Sequence, residues 1–514
     1  MNTKLKNIAT GLILLMGVSL SGCDNFDDIN TNPDKPSEAT APWLATGMIT
    51  TITSSNISTQ KSFLGPYRQS KYILFTERKE GAQYNNLGRA DFGNYLFTLK
   101  NIKPMLEYAS VLTPESNNSY EALAHFIRAW QFFQLTMYVG DIPYSEAIQG
   151  DEGLIKPKYD TQKDVIKGIL EELDQANDLF SKGENFSGDF IYGGDVDKWR
   201  RLVNSFELYV LINLSNKTDD TDLNVISKFN EVAKRPLMRD FTDNFAVTYT
   251  EARGYCYPWS NTAVSLNPFT QYTMLSATYI DLLKENKDRR LFCVAEPAEL
   301  LLSQGKSASD FDAYIGVEAS DEFDVTVDKK NSGEYSDLNL RYVESATAEP
   351  AGLLCHWDVE FILAEAAVRG WTNDDAQAHY ANGIKNSMNF YARYTDSKYT
   401  HGVSIDDAYI NTYTDQVALT GSPDNKIKQI IDQKYMAGFF HNQYFSWFEF
   451  RRTGYPEFIL NPNSNMNPTD NTKFPTKWQY PQSEIDYNND NLKEALDRQY
   501  GGSDDFNGIM WILN

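Results

Sequence analysis

Basic residues are scarce in this 514-residue chain: 47 Lys and Arg stand against 70 Asp and Glu, for a formal net charge of −23. A nucleic-acid partner needs a basic face, so that class is excluded. Adhesion to anionic lipid by charge is disfavoured for the same reason, and acidity of this size mainly favours solubility. Cysteine is also rare. Beyond Cys23 there are only Cys256, Cys293 and Cys355, widely spaced, so no disulfide framework is visible. No CxxC occurs, which argues against a zinc ribbon. The five histidines, His125, His356, His379, His401 and His441, are scattered without metal-ligand spacing. HExxH, GxSxG, a Walker loop and a GxGxxG turn are all missing, so the sequence implies no catalytic site and no cofactor or metal. Paired carboxylates can hydrolyse glycosides at a suitable separation, but that geometry cannot be read among 70 acids.

Long apolar runs are missing too, with one short exception at the front. After Lys4 and Lys6 comes IATGLILLMGVSL, about 13 mostly apolar residues. A bilayer span needs roughly 20. A basic start, a short apolar core and small residues before a break mark a secretory signal over residues 1–22. The break, Leu20-Ser21-Gly22-Cys23, resembles a bacterial lipobox, which implies cleavage before Cys23 and acylation of its sulfur and amine. One acyl chain holds weakly and two or three hold well, at about 0.8 kcal/mol per buried CH₂. Loss of residues 1–22 takes the formal charge from −23 to −25, because that segment carries two lysines and no acid. Residues 23–42 read as an acidic tether rich in Pro and Asn. Asp24, Asp27 and Asp28, close behind the cysteine, resemble a surface-export signal of Bacteroidetes lipoproteins.

What the chain has in quantity is helical periodicity. SYEALAHFIRAWQFFQLTMYVGD sets Leu123, Phe126, Ile127, Trp130, Phe133 and Met137 on one face. TQKDVIKGILEELDQANDLF follows, with Thr161 and Asp164 resembling a capping box. A third helix opens after Gly193-Gly194 with Asp195 as cap, and DLNVISKFNEVAK is its partner. Periodicity weakens over residues 236–350, where Gly, Pro, Asn, Ser and aromatics predict short strands and loops. Helices return in WDVEFILAEAAVRGW, in NDDAQAHYANGIKNSMNFYARY with a cap at Thr372 and Asp375, and as a pair in KIKQIIDQKYMAGFFHNQYFSWFEFRRTGYP. The tail is rich in Asn and Pro, with one closing helix at LKEALDRQY. These elements predict a mainly α domain over residues 43–514, carrying an irregular insertion at about 236–350. No consensus of about 34 residues recurs cleanly.

Several segments together resemble the SusD/RagB-like nutrient-binding outer-membrane lipoproteins. They are the lipobox with FDDINTNPDKP, AWQFFQLTMYVGDIPYSEA, YDTQKDVIKGILEELDQA, GGDVDKWRRLVNSFELYVLINLS, VEFILAEAAVRGW, HYANGIKNSM, and QKYMAGFFHNQYFSWFEFRRTGYP with KWQYPQSE. They span about residues 20 to 490 in order. The second half of the pattern, WxExRRTGYP, reads Trp447-Phe448-Glu449-Phe450-Arg451-Arg452 onward. Two departures stand out: Asp288-Arg289-Arg290 where the family has D-P-R, and Cys355-His356 in an unusual lead-in. The resemblance implies a superhelical scaffold of four tetratricopeptide-like helix pairs with the irregular region packed against it. It also implies a lipid-anchored protein on the outer-membrane surface, a SusC-like TonB-dependent transporter as partner, and an oligosaccharide or other nutrient as cargo.

Most family motifs read as structural: Asp195 as a cap, Gly140 to Tyr144 as a turn, and Arg451 and Arg452 beside Glu449 as an ion-paired turn. Ligand contacts then fall on loops. Sugars pack C–H faces on aromatic rings and bond through hydroxyls, and two stretches have the matching mixture. One offers Tyr67, Arg68, Tyr72 and Tyr84. The other offers Arg253, Tyr255, Tyr257, Trp259, Asn261, Asn267 and Phe269. Tyr and Trp also fill ordinary cores. Two other readings of the chain stay open: a secreted glycan-active hydrolase, and a structural lipoprotein of an outer-membrane assembly.

Overall fold

The computed structural model describes residues 39–54, 61–264 and 271–514. The predicted signal, Cys23, the acids Asp24, Asp27 and Asp28, Asn267 and Phe269 lie outside the described residues. The fold is mainly helical. Its longer helices are α1 Ala41–Ile52, α2 Gly93–Leu99, α3 Ile102–Ala109, α4 Pro114–Val139, α5 Gln162–Phe180, α6 Val196–Asn213 and α7 Val225–Val232. They continue with α8 Ala277–Glu285, α9 Phe323–Ser332, α10 His356–Val368, α11 Ala376–Tyr394, α12 Asp407–Gln416, α13 Pro423–Ala437, α14 Phe445–Thr453 and α15 Asn489–Tyr500.

Local chemistry sets the boundaries. Thr113 and Thr161 each accept a backbone N–H through their hydroxyls, from Ser116 at 3.1 Å and Asp164 at 3.2 Å, and start α4 and α5. Asp195 accepts from Asp197 and Lys198 and starts α6, as its sequence position predicts. The cap of α11 is Asp375, which accepts from Gln377 and Ala378, while the Thr372 hydroxyl accepts from Asp374 one turn earlier. Gly140 ends α4 at φ 93°, and a Cβ there would lie 2.3 Å from Gln499 Oε1 and 2.6 Å from the Tyr500 hydroxyl. Only glycine suits both the left-handed backbone and that close approach.

The long helices pack on their neighbours in sequence, α4 on α5, α6 on α7 and α10 on α11, while α13 packs on α10 and α11. Their apolar faces and most inner residues of the irregular region share one contiguous core, beside a small separate cluster of Leu74, Met274, Val317 and Ala319. Two small antiparallel sheets tie that region to the scaffold. Strand β1 (Ile73–Phe75) pairs with β3 (Thr273–Leu275), Ile73 opposite Leu275. Strand β2 (Phe245–Val247) pairs with β4 (Ala351–Leu354), with an irregularity between Phe245 and Ala246.

The irregular region departs from its predicted content. Beside short strands it holds α8 and α9 and shorter helices at 291–294, 299–303 and 341–344. The turn predicted at Arg451 and Arg452 is instead the last turn of α14. The three described cysteines are buried free thiols. Among them, Cys355 caps α10, with Asp358 Oδ2 accepting its N–H at 2.9 Å.

Candidate functional site

Two kinds of polar feature stand out: buried ion networks and solvent-facing clefts. The networks absorb the family motifs. Arg452 on α14 reaches Glu365 on α10 with Nη1 to Oε1 at 2.5 Å and Nη2 to Oε2 at 2.8 Å. It also binds Glu449 on its own helix, whose other oxygen takes Lys434 Nζ of α13 at 2.5 Å. Two cations and two carboxylates, all buried, thus tie three helices together. Burial raises the Glu449 pKa, but Arg452 and Lys434 outweigh it and hold the carboxyl well below its usual range. Arg451 instead donates to the carbonyls of Thr476 and Met137, at 2.7 and 2.9 Å. These side chains are structural.

The D-x-R departure is structural as well. Asp288 and Arg290 form a fully buried pair, and Arg290 also donates to Ser387 Oγ at 3.0 Å and Gln433 Oε1 at 2.7 Å. Arg289 stands in the proline position and uses the N–H a proline would lack, donating to the Tyr409 hydroxyl at 2.9 Å.

The predicted ligand residues separate into two groups. Trp259, Tyr257, Tyr67, Tyr72 and Tyr84 are each about 1% exposed or less. Tyr72 stacks on Tyr435 with centroids 4.1 Å apart, and its hydroxyl donates to the Tyr435 carbonyl. Tyr67 and Trp259 both pack against Phe63, and Tyr257 sets its ring edge on Tyr249. Arg68 is buried 3.6 Å from Glu80, with its guanidinium over Phe75, and burial lowers its pKa. In this structure these six side chains are packed within the core. Arg253, Tyr255 and Asn261 face solvent, Tyr255 at 74% exposure.

Those exposed residues belong to a loop held against the 341–350 segment. Tyr257 N–H donates to the Ala346 carbonyl and Asn261 N–H to the Val343 carbonyl, both at 2.6 Å. Beside that junction opens a cleft of about 370 Å³. The irregular region supplies Thr248, Tyr249, Arg341 and Thr347, and the end of α11 with the following turn supplies Tyr394 and Thr395. Arg341 is 1% exposed. Its Nε donates to the Cys293 carbonyl at 2.7 Å, and its Nη2 to the Tyr342 hydroxyl at 2.6 Å and to the Glu349 carboxylate. Its Nη1 has no acceptor among the described residues. Sequence reasoning missed Arg341. The available signal was a lone Arg between apolar neighbours in LNLRYVES.

Two further clefts are smaller. One, about 200 Å³, is lined by Tyr95, Gln131, Gln134 and Gln443. The other, about 320 Å³, has Glu296, Tyr335 and Asp337 in its walls, and burial pushes Asp337 up to about 7. No group of three or more potential metal ligands occurs among the described residues. Nor is any described helix long and apolar enough to cross a membrane.

Comparison with known proteins decides the family. The model of the family described as starch-binding, associating with outer membrane (SusD-like) matches residues 33–481. The chain belongs to the SusD-like family. A SusD homologue from Bacteroides fragilis NCTC 9343 is 40% identical, with a TM-score of 0.88 over 93% of this chain and 100% of its own. A second homologue from the same strain is 31% identical, with a TM-score of 0.80 over 93% and 100%. A SusD homologue from Bacteroides uniformis ATCC 8492, at 20% identity and a TM-score of 0.69 over 92% of this chain and 99% of its own, shares the fold. Among curated proteins none matches. SusD-like proteins are nutrient-binding proteins of the outer-membrane surface, and the scaffold seen here is theirs.

Proposed function

We propose that this SusD-like protein is a lipid-anchored receptor on the cell surface. It binds an oligosaccharide and passes it to a SusC-like TonB-dependent transporter without covalent chemistry. The observation that carries this reading is the family match over 33–481, nearly the whole chain behind the lipobox. Cys23 is the acylated residue, residues 1–22 are the signal, and 23–42 are the tether to a single domain over 43–514. The loop carrying Arg253, Tyr255 and Asn261, with the cleft beside it, is the ligand-facing surface. Loops on a rigid scaffold commonly carry binding residues, and here the scaffold is pinned by buried ion pairs.

The test uses the full chain in a Bacteroidetes host. Wild type is expected in the outer-membrane fraction, exposed to surface protease and co-purifying with a large barrel protein. Cys23→Ala is expected in the soluble fraction. Oligosaccharides incubated with the purified protein are expected back unchanged. Release of shortened glycans would establish the hydrolase instead. Binding of no glycan, with the barrel still co-purified, would leave the structural lipoprotein.

A further inference from the structure

The end of the domain nearest the tether presents an exposed apolar face. We propose that this face lies on the lipid surface of the membrane, with the Trp43 ring at the boundary between headgroups and acyl chains; this rests on the acylation of Cys23 in the reading above. Three observations carry it.

The first is placement. Trp43 stands in the first turn of α1. The loop after α5 ties that turn to the start of α4. Thr46 Oγ1 donates to the Gly188 carbonyl at 2.7 Å, the Tyr120 hydroxyl to the Ser187 carbonyl at 3.0 Å, and Thr113 Oγ1 to the Glu184 carboxylate at 2.7 Å. Phe190 follows in the same loop. At the other end of α1, Thr51 and Ile52 share a cleft with Gln131 and Gln134 of α4, so the two helices run in the same direction. Helix α3 packs on both and ends at Ala109, just before α4 begins. Tyr108, Val111 and Leu112 therefore come to the end that holds Trp43 and Phe190. All five are at least 40% exposed.

The second is where the anchor enters. Asp24 to Thr40, 17 residues, are all that separates Cys23 from α1. Without regular structure, a chain of that length averages roughly 20–25 Å end to end. Helix α4 has 26 residues and so spans about 39 Å, and its far end, at Gly140, meets Gln499 and Tyr500. An acylated Cys23 thus holds the Trp43 end against a bilayer and keeps the Gly140 end away from it.

The third is chemistry. Trp and Tyr favour the membrane–water boundary, where the ring is buried and the polar edge stays wet. The exposed charges on these segments are Glu107, Glu115 and Glu184 against Lys182, which give no attraction to an anionic headgroup. The contact is therefore apolar. It adds to acyl chains that hold weakly when single.

Trp43 is its own reporter. Of the nine tryptophans it alone is exposed, and Trp511 is half-buried. The full acylated chain, taken from the outer membrane of its host, is reconstituted in phosphatidylcholine vesicles with and without bromine on the acyl chains. Bromine quenches tryptophan only at close contact. Three variants accompany wild type: Trp43→Phe, Val111→Asp combined with Phe190→Asp, and Tyr487→Asp, an exposed position near the Gly140 end. All should sediment with the vesicles. Brominated lipid should quench wild type and Tyr487→Asp equally, and the other two at most half as much. An unquenched wild type that still sediments with the vesicles would overturn the contact, leave the anchor standing and assign the face to a protein partner. Full quenching in Trp43→Phe would place the contact elsewhere on the domain and overturn the proposal as well. Wild type that fails to sediment would overturn the anchor and the contact together.

Discussion

At the scale of single residues, the strongest commitments are charges taken out of water. Lys434, Glu449, Arg452 and Glu365 sum to zero and are all buried, so each depends on the others. Arg452→Leu removes the cation that joins two buried carboxylates, leaving Glu449 with Lys434 and Glu365 with the partly exposed Arg369. It should cost about 3–5 kcal/mol, read from urea unfolding, and a cost under about 1 kcal/mol would refute the network as a stabilising unit. His441 makes a second prediction. It accepts the Gly352 N–H at Nδ1, and burial together with the Arg341 charge lowers its pKa from 6.5 to about 3. Between those values the unfolded chain binds the proton and the folded one does not. This contribution is therefore fully present above pH 6.5 and is lost as pH falls, with an upper bound of about 5 kcal/mol. Burial pushes Asp337 and Glu207 up to about 7, which works in the opposite direction. The informative quantity is thus the stability of wild type minus that of His441→Gln, whose amide oxygen can still accept from Gly352. That difference should shrink steadily from pH 7 to pH 4.5. A constant difference would mean that His441 titrates normally in the folded protein.

At the scale of elements, helix ends are the places where one atom decides the path of the chain. Gly140→Ala meets both a left-handed backbone and the side chains of Gln499 and Tyr500, so it should lower stability by about 2–3 kcal/mol. Thr161→Ala removes the capping bond and the exposed hydroxyl's bond to the Asp164 carboxylate, at a cost of about 1 kcal/mol. Urea melts that rank the two in reverse would show that the Gly140 approach relaxes freely. The long helices were legible in the sequence because spacing and caps agree: Trp199, Leu202, Val203 and Phe206 lie on one face behind Asp195. Helix α9 was not legible, because FDVTVDKKNS carries little apolar periodicity and buries only Thr326. The candidate site was legible only in part. The loop with Arg253 and Tyr255 does face solvent, but Tyr72 and Trp259 are core residues, since a tyrosine that stacks on a partner 363 positions away carries no local sign of it. Arg341 shows the converse. Its role depends on Glu349, Cys293 and Tyr342 meeting around it, and no spacing rule encodes that.

At the scale of the whole molecule, the irregular region and the helical scaffold share one core, and this constrains how the protein unfolds. Tyr342, within the region, packs its ring edge on Phe440 at 5.3 Å and lies 6.0 Å from Phe439. Tyr279 stacks on Phe439 at 4.8 Å, and strands β3 and β2 pair with partners before and after the region. An insertion that only leaned on the scaffold would melt first, exposing Trp259 while the helices stayed folded. Interdigitated aromatics forbid that, because loosening the region strips the scaffold of its own buried surface. Urea unfolding followed by tryptophan fluorescence and by helical circular dichroism should therefore give coincident transitions. Tyr342→Ala, a large-to-small change in that shared core, should shift both together by about 3–5 kcal/mol. A fluorescence transition that precedes the loss of helix, or a Tyr342→Ala effect confined to fluorescence, would show two separable cores.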